Sequence, residues 1–170
     1  MATENGYRRG SLEHAICLAT KAFEGVKDKG GKPYIFHCLR VMMGCTDPRA
    51  QIVGVLHDVV EDCNDWSFAR LSAVGFSDDI IEAVDAVTKR ADEHGSEDEA
   101  YMRFIKRIMR GSNIAIEVKL ADLTDNLDPN RTFPDPVKAE KMHRRYTAAK
   151  ALLLAEQARR ATAAATAQTV

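Results

Sequence analysis

The sequence predicts an all-α, single-domain protein, and three observations carry that prediction. Apolar residues recur at spacings of three and four along nearly the whole chain. No segment shows the two-residue alternation of a half-buried strand. Capping and turn residues fall where helices of that period should start and stop. At 170 residues the chain is about one domain long and large enough to bury a core. The expected domain covers residues 1–160, and the low-complexity tail "ATAAATAQTV" at 161–170 is expected to fray.

The elements follow in order. "SLEHAICLATKAFEG" opens on Ser11 as an N-cap, carries Leu12, Ile16, Ala19 and Phe23 on one stripe, and closes near Gly25. "DKGGKPY" reads as a turn leading into a second helix over "IFHCLRVMMGC". Asp47-Pro48 pairs an N-cap with proline at the first helical position, and the third helix is expected to run on through "GVLHDVVEDC" at 54–63. Further helices fit 67–73, 77–88, 97–110 and 113–127. The last begins after the proline-punctuated "LDPNRTFPDP" and fits 136–158.

Composition narrows the function classes. A formal net charge of −1 excludes a globally basic nucleic-acid binder, although local basic clusters can still meet a small polyanion. No stretch approaches the ~20 apolar residues of a spanning helix, and "MATENGYRRG" lacks the apolar core of a signal peptide, so neither a membrane nor export is expected. Cys17, Cys38, Cys45 and Cys63 form no C-x-x-C pair, which argues against structural zinc and, in a reducing cytoplasm, against disulfides.

The polar residues inside apolar helices carry the chemistry. In "GVLHDVVEDC", His57 and Glu61 are four apart, as are Asp58 and Asp62, so the pairs share one helical face while Val55, Leu56, Val59 and Val60 fill the other directions. His37 lies in the apolar "YIFHCLRV", and Asp122 lies in "VKLADLTDNL" with Asn126 one turn later. Taken alone, His37 reads first as a core histidine, and Asp122 equally as a buried partner of Lys119. Taken together, two histidines and two carboxylates make the mixed nitrogen and oxygen set that holds Mn²⁺, Fe²⁺ or a similar divalent ion.

In order, "KPYIFH", "VLHDVVED" and "VKLADLTDN" resemble the HD superfamily of metal-dependent phosphohydrolases, in particular its alarmone hydrolase branch of RelA/SpoT-type domains and stand-alone small hydrolases. The resemblance runs from about Leu12 to about Leu154 and implies an HD-type helical bundle. It implies His37, His57, Asp58 and Asp122 as ligands of Mn²⁺. It assigns Glu61 and Asp62 to aligning and activating the attacking water, and Asn126 to the nucleotide. Tyr146 falls where relatives present an aromatic to the nucleotide, within the basic run "KAEKMHRRY", which reads otherwise as a solvated face. The implied reaction releases the 3′-pyrophosphate of (p)ppGpp or (p)ppApp.

The chain departs from the family pattern at three places, one of them His37-Cys38, where "HP" is usual, which changes the helix start but not the ligand. "VKDKGGKPY" has Asp28 where a basic pair is usual, leaving Lys27, Lys29 or Lys32 to supply the charge. "ADLTDN" replaces the frequent "ADRLHN", putting Leu123 and Asp125 in place of an arginine and a histidine. No synthetase sequence follows, so a stand-alone cytoplasmic enzyme is expected, with a small polyphosphorylated nucleotide as partner. Two alternatives stand beside it: an HD phosphohydrolase of a mononucleotide or cyclic nucleotide, and a non-catalytic nucleotide-binding module. Tyr101, Arg103 and Arg107 read as an amphipathic surface.

Overall fold

The computed structural model describes residues 6–90, 93–131 and 135–167. Among them are nine α-helices and no sheet, only an isolated antiparallel bridge between Lys27 and Pro33. The helices are α1 Leu12–Ala22, α2 Ile35–Met43, α3 Pro48–Leu56, α4 Val59–Asp62, α5 Phe68–Ala73, α6 Asp78–Val87, α7 Glu97–Ile108, α8 Asn113–Asn126 and α9 Pro136–Ala167.

The expected caps form. Ser11 Oγ accepts the amide of His14 at 3.3 Å, and Asp47 Oδ1 accepts that of Arg49 at 2.8 Å, satisfying donors that have no partner inside the helix. A capping box at Ser96 and Glu99 starts α7.

α3 is the axis of the bundle. Ala50, Val53, Val55 and Leu56 are all fully buried, because α1, α2, α6 and α8 pack around the helix, while Pro48 and Arg49 in its first turn stay exposed. Gly54 permits the closest of these approaches: a Cβ there would meet the Met42 backbone at 3.1 Å. α8 is buried along much of its length, including the charged Lys119, Asp122 and Asp125. The two helices carrying the polar motifs are therefore core helices, so their charges need partners inside the protein.

Two expectations are corrected. The third helix does not run through to Cys63; it ends at Leu56, turns at His57 and Asp58, and restarts as α4. Adjacent residues of a continuous helix diverge by about 100°, which would hold the His57 and Asp58 side chains apart. With Asp58 at φ −102° and ψ −2°, the break lets them converge. The last helix, expected over 136–158, continues as exposed helix through Ala167; 168–170 lie outside the described residues.

Candidate active site

Three segments bring four side chains to one point: His37 from α2, His57 and Asp58 from the break between α3 and α4, and Asp122 from α8. His57 Nε2 lies 2.8 Å from Asp58 Oδ2, and His37 Nε2 lies 3.7 Å from the same oxygen. Asp122 Oδ1 faces the two Nε2 atoms at 3.3 Å and 3.9 Å. The ligand atoms of His37, His57 and Asp58 fall within 4.8 Å of one another, a spacing that can hold a metal ion.

Each imidazole is oriented by its other nitrogen. His57 Nδ1 donates to the Gly54 carbonyl at 2.8 Å, and His37 Nδ1 donates to Asp125 Oδ2 at 2.6 Å. Both Nε2 lone pairs then point into the cluster. His57 Nε2 is buried and not aligned for a hydrogen bond with Asp58, so it has no hydrogen-bond partner. Burial opposes charge on His57, yet Asp58 and then Asp122 push its pKa up to about 9: this is a place that favours positive charge. An orphaned imidazole nitrogen beside two carboxylates fits a divalent cation.

A second layer fixes the first. Asp125 also takes Arg40 Nε and, at 2.8 Å, Arg131 Nη1; despite burial, His37 and Arg40 hold its carboxyl well below the usual range. Lys119 Nζ sits 2.7 Å from Asp122 Oδ2, opposite the oxygen that faces the histidines. The two readings of Asp122, lysine partner and cluster member, are therefore both realised, one on each oxygen. Asn126 donates to Asp122 Oδ1 and accepts from Arg131 at 2.8 Å, while Tyr34 Oη donates to Asp58 Oδ2 at 2.5 Å.

The acidic pair is split between two environments. Glu61 receives Lys89 twice, from Nζ at 2.6 Å and from the backbone amide at 3.0 Å. Asp62 is exposed, yet partial desolvation, followed by the charges of Asp58 and Glu61, raises its pKa.

Lys29, Lys89, Tyr101, Met142, Arg145 and Tyr146 help line a 360 Å³ cavity, and an adjoining 330 Å³ cavity includes Asn126, Arg131, Met142 and Tyr146. Lys29, Tyr146 and Asn126 thus border one continuous cleft. Lys32 instead lines a smaller pocket with Asp28, Arg40 and Arg131. A further cavity, 530 Å³, meets the site at Arg40 and Asp125.

Sequence reasoning gave no role to Tyr34, Arg40, Lys89 or Arg131. Tyr34 and Arg40 lie three residues before and after His37, a spacing that could have marked both; Lys89 and Arg131 reach the site from outside the helices that carry the motifs. Asp125 was visible as a substitution, but its bond to His37 was not.

No protein-family model matches the chain. It is 33% identical over 99 residues, 54% of the chain, to a guanosine-3′,5′-bis(diphosphate) 3′-pyrophosphohydrolase of Borreliella burgdorferi. It is 29% identical over 126 residues, 69% of the chain, to the protein of the same name in Vibrio cholerae. The matches span 14% and 17% of those relatives' lengths. A solved structure described as a metazoan ortholog of SpoT that hydrolyzes ppGpp superposes with a TM-score of 0.73 at 22% identity, covering 87% of each chain. The chain has that structure's HD-type helical fold and is similar in sequence to part of the pyrophosphohydrolases.

Proposed function

We propose that the chain hydrolyses the 3′-pyrophosphate of an alarmone nucleotide, (p)ppGpp or (p)ppApp, releasing pyrophosphate and the 5′-phosphorylated nucleoside. The observation that carries this reading is the convergence of His37, His57, Asp58 and Asp122, with an unpartnered buried Nε2, beside a cleft bordered by cations and Tyr146. The similarity to the pyrophosphohydrolases supports the substrate class.

His37, His57, Asp58 and Asp122 would hold Mn²⁺ or a similar divalent ion. When bound, that ion makes water more acidic and offsets phosphate charge. Asp62, whose pKa is raised by desolvation and the neighbouring carboxylates, takes a proton from the attacking water. The water oxygen bonds to the phosphorus nearest the ribose, the bond from that phosphorus to the 3′-oxygen breaks, and the 3′-oxygen leaves as a hydroxyl after gaining a proton. Glu61 holds Lys89 at the cleft wall, where Lys89, Lys29 and Arg145 meet the phosphates. Asn126 and Tyr146 border the part of the cleft assigned to the nucleoside.

The four cysteines are free, as befits the reducing cytoplasm in which we place the activity, and no helix among the described residues is long and apolar enough to cross a membrane. The test strips the protein, reloads it with Mn²⁺, and offers ppGpp, pppGpp, ppApp, cyclic nucleotides and mononucleotides, resolving products by anion exchange. Pyrophosphate release from the 3′-pyrophosphorylated compounds is expected. Turnover confined to cyclic nucleotides or mononucleotides would replace the reading with the other phosphohydrolase activity.

A further inference from the structure

A second concentration of charge lies outside the metal cluster. Arg103, Lys106, Arg107 and Arg110 recur at three- and four-residue spacings along one face of α7 and its C-terminal turn, where like charges repel. With Arg90 they line an open 310 Å³ concavity in which Glu93 is the one carboxylate among the described residues.

Two of the five cations are paired: Glu93 answers Arg107 and Asp85 answers Arg90, which leaves Arg103, Lys106 and Arg110 without an ion pair among the described residues. Glu93 Oε1 accepts Arg107 Nε at 2.9 Å and its Oε2 accepts the Arg90 amide at 3.0 Å. Arg107 is fixed further by the carbonyls of Asp85 and Ala86 at 3.1 Å and of Thr88 at 2.8 Å, and Arg103 binds the His94 carbonyl. Lys106 and Arg110 are exposed and have no ion-pair partner among the described residues. The cations at the start of α9 differ: Lys141 and Arg145 are answered by Glu97 and Asp98.

We propose that this concavity is a binding site for a di- or triphosphate group, separate from the metal cluster. Arg103 and Arg107, held in place by backbone carbonyls, form a preorganised floor, and Lys106 and Arg110 supply mobile donors above it. The lining contains no aromatic side chain on which a nucleobase could stack, so a compact anion fits better than a nucleic-acid strand. The concavity shares Arg90 and Glu93 with the cleft cavity, so the two adjoin. The ligand chemistry is met equally by inorganic pyrophosphate or triphosphate and by the 5′-polyphosphate of a nucleotide. The proposal does not depend on the hydrolase reading, because it is tested by binding rather than turnover.

The experiment titrates inorganic triphosphate, pyrophosphate and GDP calorimetrically into the full chain stripped of metal. Lys106→Glu/Arg110→Glu is compared with Arg8→Glu/Lys21→Glu, which changes net charge equally on a different surface, and Lys106→Gln/Arg110→Gln provides a milder version. Melting curves check that all three variants fold. The α7 glutamate variant should weaken triphosphate binding roughly tenfold or more, the glutamine variant by less, and the control about twofold or less. Equal affinity for GDP and pyrophosphate assigns the site to the phosphates alone; tighter GDP binding assigns it to a nucleotide. Equal weakening in the two glutamate variants, no saturable binding to the wild type, or displacement of triphosphate by a short RNA at lower concentration would each overturn the proposal.

Discussion

His37 Nδ1 and Asp125 Oδ2 are 2.6 Å apart, and that bond links the candidate ligand cluster to two arginines. Asp125 fixes the tautomer that leaves His37 Nε2 free to bind a cation. Arg40 and Arg131 in turn keep Asp125 ionised. Asp125→Asn keeps the side-chain volume but removes the carboxylate, so Mn²⁺ affinity should fall by ~10–100-fold while the helical content is unchanged. Calorimetric titration with Mn²⁺ measures this directly. Wild-type affinity in the folded variant would mean that the backbone alone orients His37.

Lys119 makes a different kind of contribution. Its ammonium and Asp122 are both buried, and Asp122 holds the lysine pKa high against burial. Removing one partner of a buried pair leaves an uncompensated charge, at a cost of about 3–5 kcal/mol. Lys119→Met should therefore destabilise the metal-free protein by that order. The loss should shrink once Mn²⁺ is added, because the ion supplies the missing positive charge beside Asp122. Urea unfolding with and without Mn²⁺ checks both statements; an equal loss in the two conditions would place Asp122 outside the metal site.

How much of this was legible in the sequence differs residue by residue. The four clustered side chains were legible because each interrupts an apolar helical stripe, and a buried charge signals a partner or an ion. The break at His57–Asp58 was not, since the apolar period is the same on both sides of it and only the convergence of two adjacent side chains reveals it. Arg40 and Arg131 reach Asp125 from 85 residues before it and from a loop six residues after it, where no periodicity operates. The end of the last helix was read short because low complexity was weighed above propensity. Alanine is the strongest helix former, and α9 continues through the alanine run to Ala167.

The two members of the acidic pair should separate kinetically. Asp62→Asn removes the group proposed to take the proton, so turnover should drop on the order of 10²-fold or more with metal content retained. Glu61→Gln mainly loosens Lys89 from the cleft wall, so its principal effect should be a raised KM. Steady-state kinetics with metal analysis distinguishes the variants; wild-type kcat in Asp62→Asn would remove Asp62 from the mechanism.

Acid stability should report on α9. Arg159 and Arg160 lower the Glu156 pKa from 4.5 to about 2. Arg160 also binds the carbonyls of Met109 at 2.6 Å and Gly111 at 2.9 Å, tying α9 to the connection between α7 and α8. A carboxyl with a depressed folded-state pKa contributes stability that is present above its unfolded value and lost as pH falls through the folded one. Glu156→Gln should therefore be less stable than wild type at neutral pH. The difference should fade between pH 4.5 and about 2. Urea midpoints across that range test it; a difference that persists at the lowest pH would trace the effect to packing instead of charge.

The loop before Tyr34 bears on which base is accepted. Asp28, standing where relatives have a basic residue, turns inward: its Oδ1 accepts the amides of Gly30 and Lys32 at 2.9 Å, and its Oδ2 lies 3.9 Å from Arg131. Gly31 completes the tight turn at φ +81°, a conformation that favours glycine. Asp28 is thus occupied in building the loop and does not offer its side chain to a base. Guanine and adenine differ at the six-position, where one accepts a hydrogen bond and the other donates, so strict discrimination needs a fixed polar contact whose loss costs roughly 1–3 kcal/mol. Of the polar groups at the nucleoside end of the cleft, Asn126 and Arg131 are already bonded to each other and to the aspartates behind them. The site should therefore cleave guanosine and adenosine 3′-pyrophosphates with kcat/KM values within about two orders of magnitude of each other. Steady-state comparison of ppGpp with ppApp decides the point. A preference well beyond roughly a thousandfold would require a contact stronger than one such hydrogen bond, with Asn126 released from Asp122 on binding as the first to examine by Asn126→Ala.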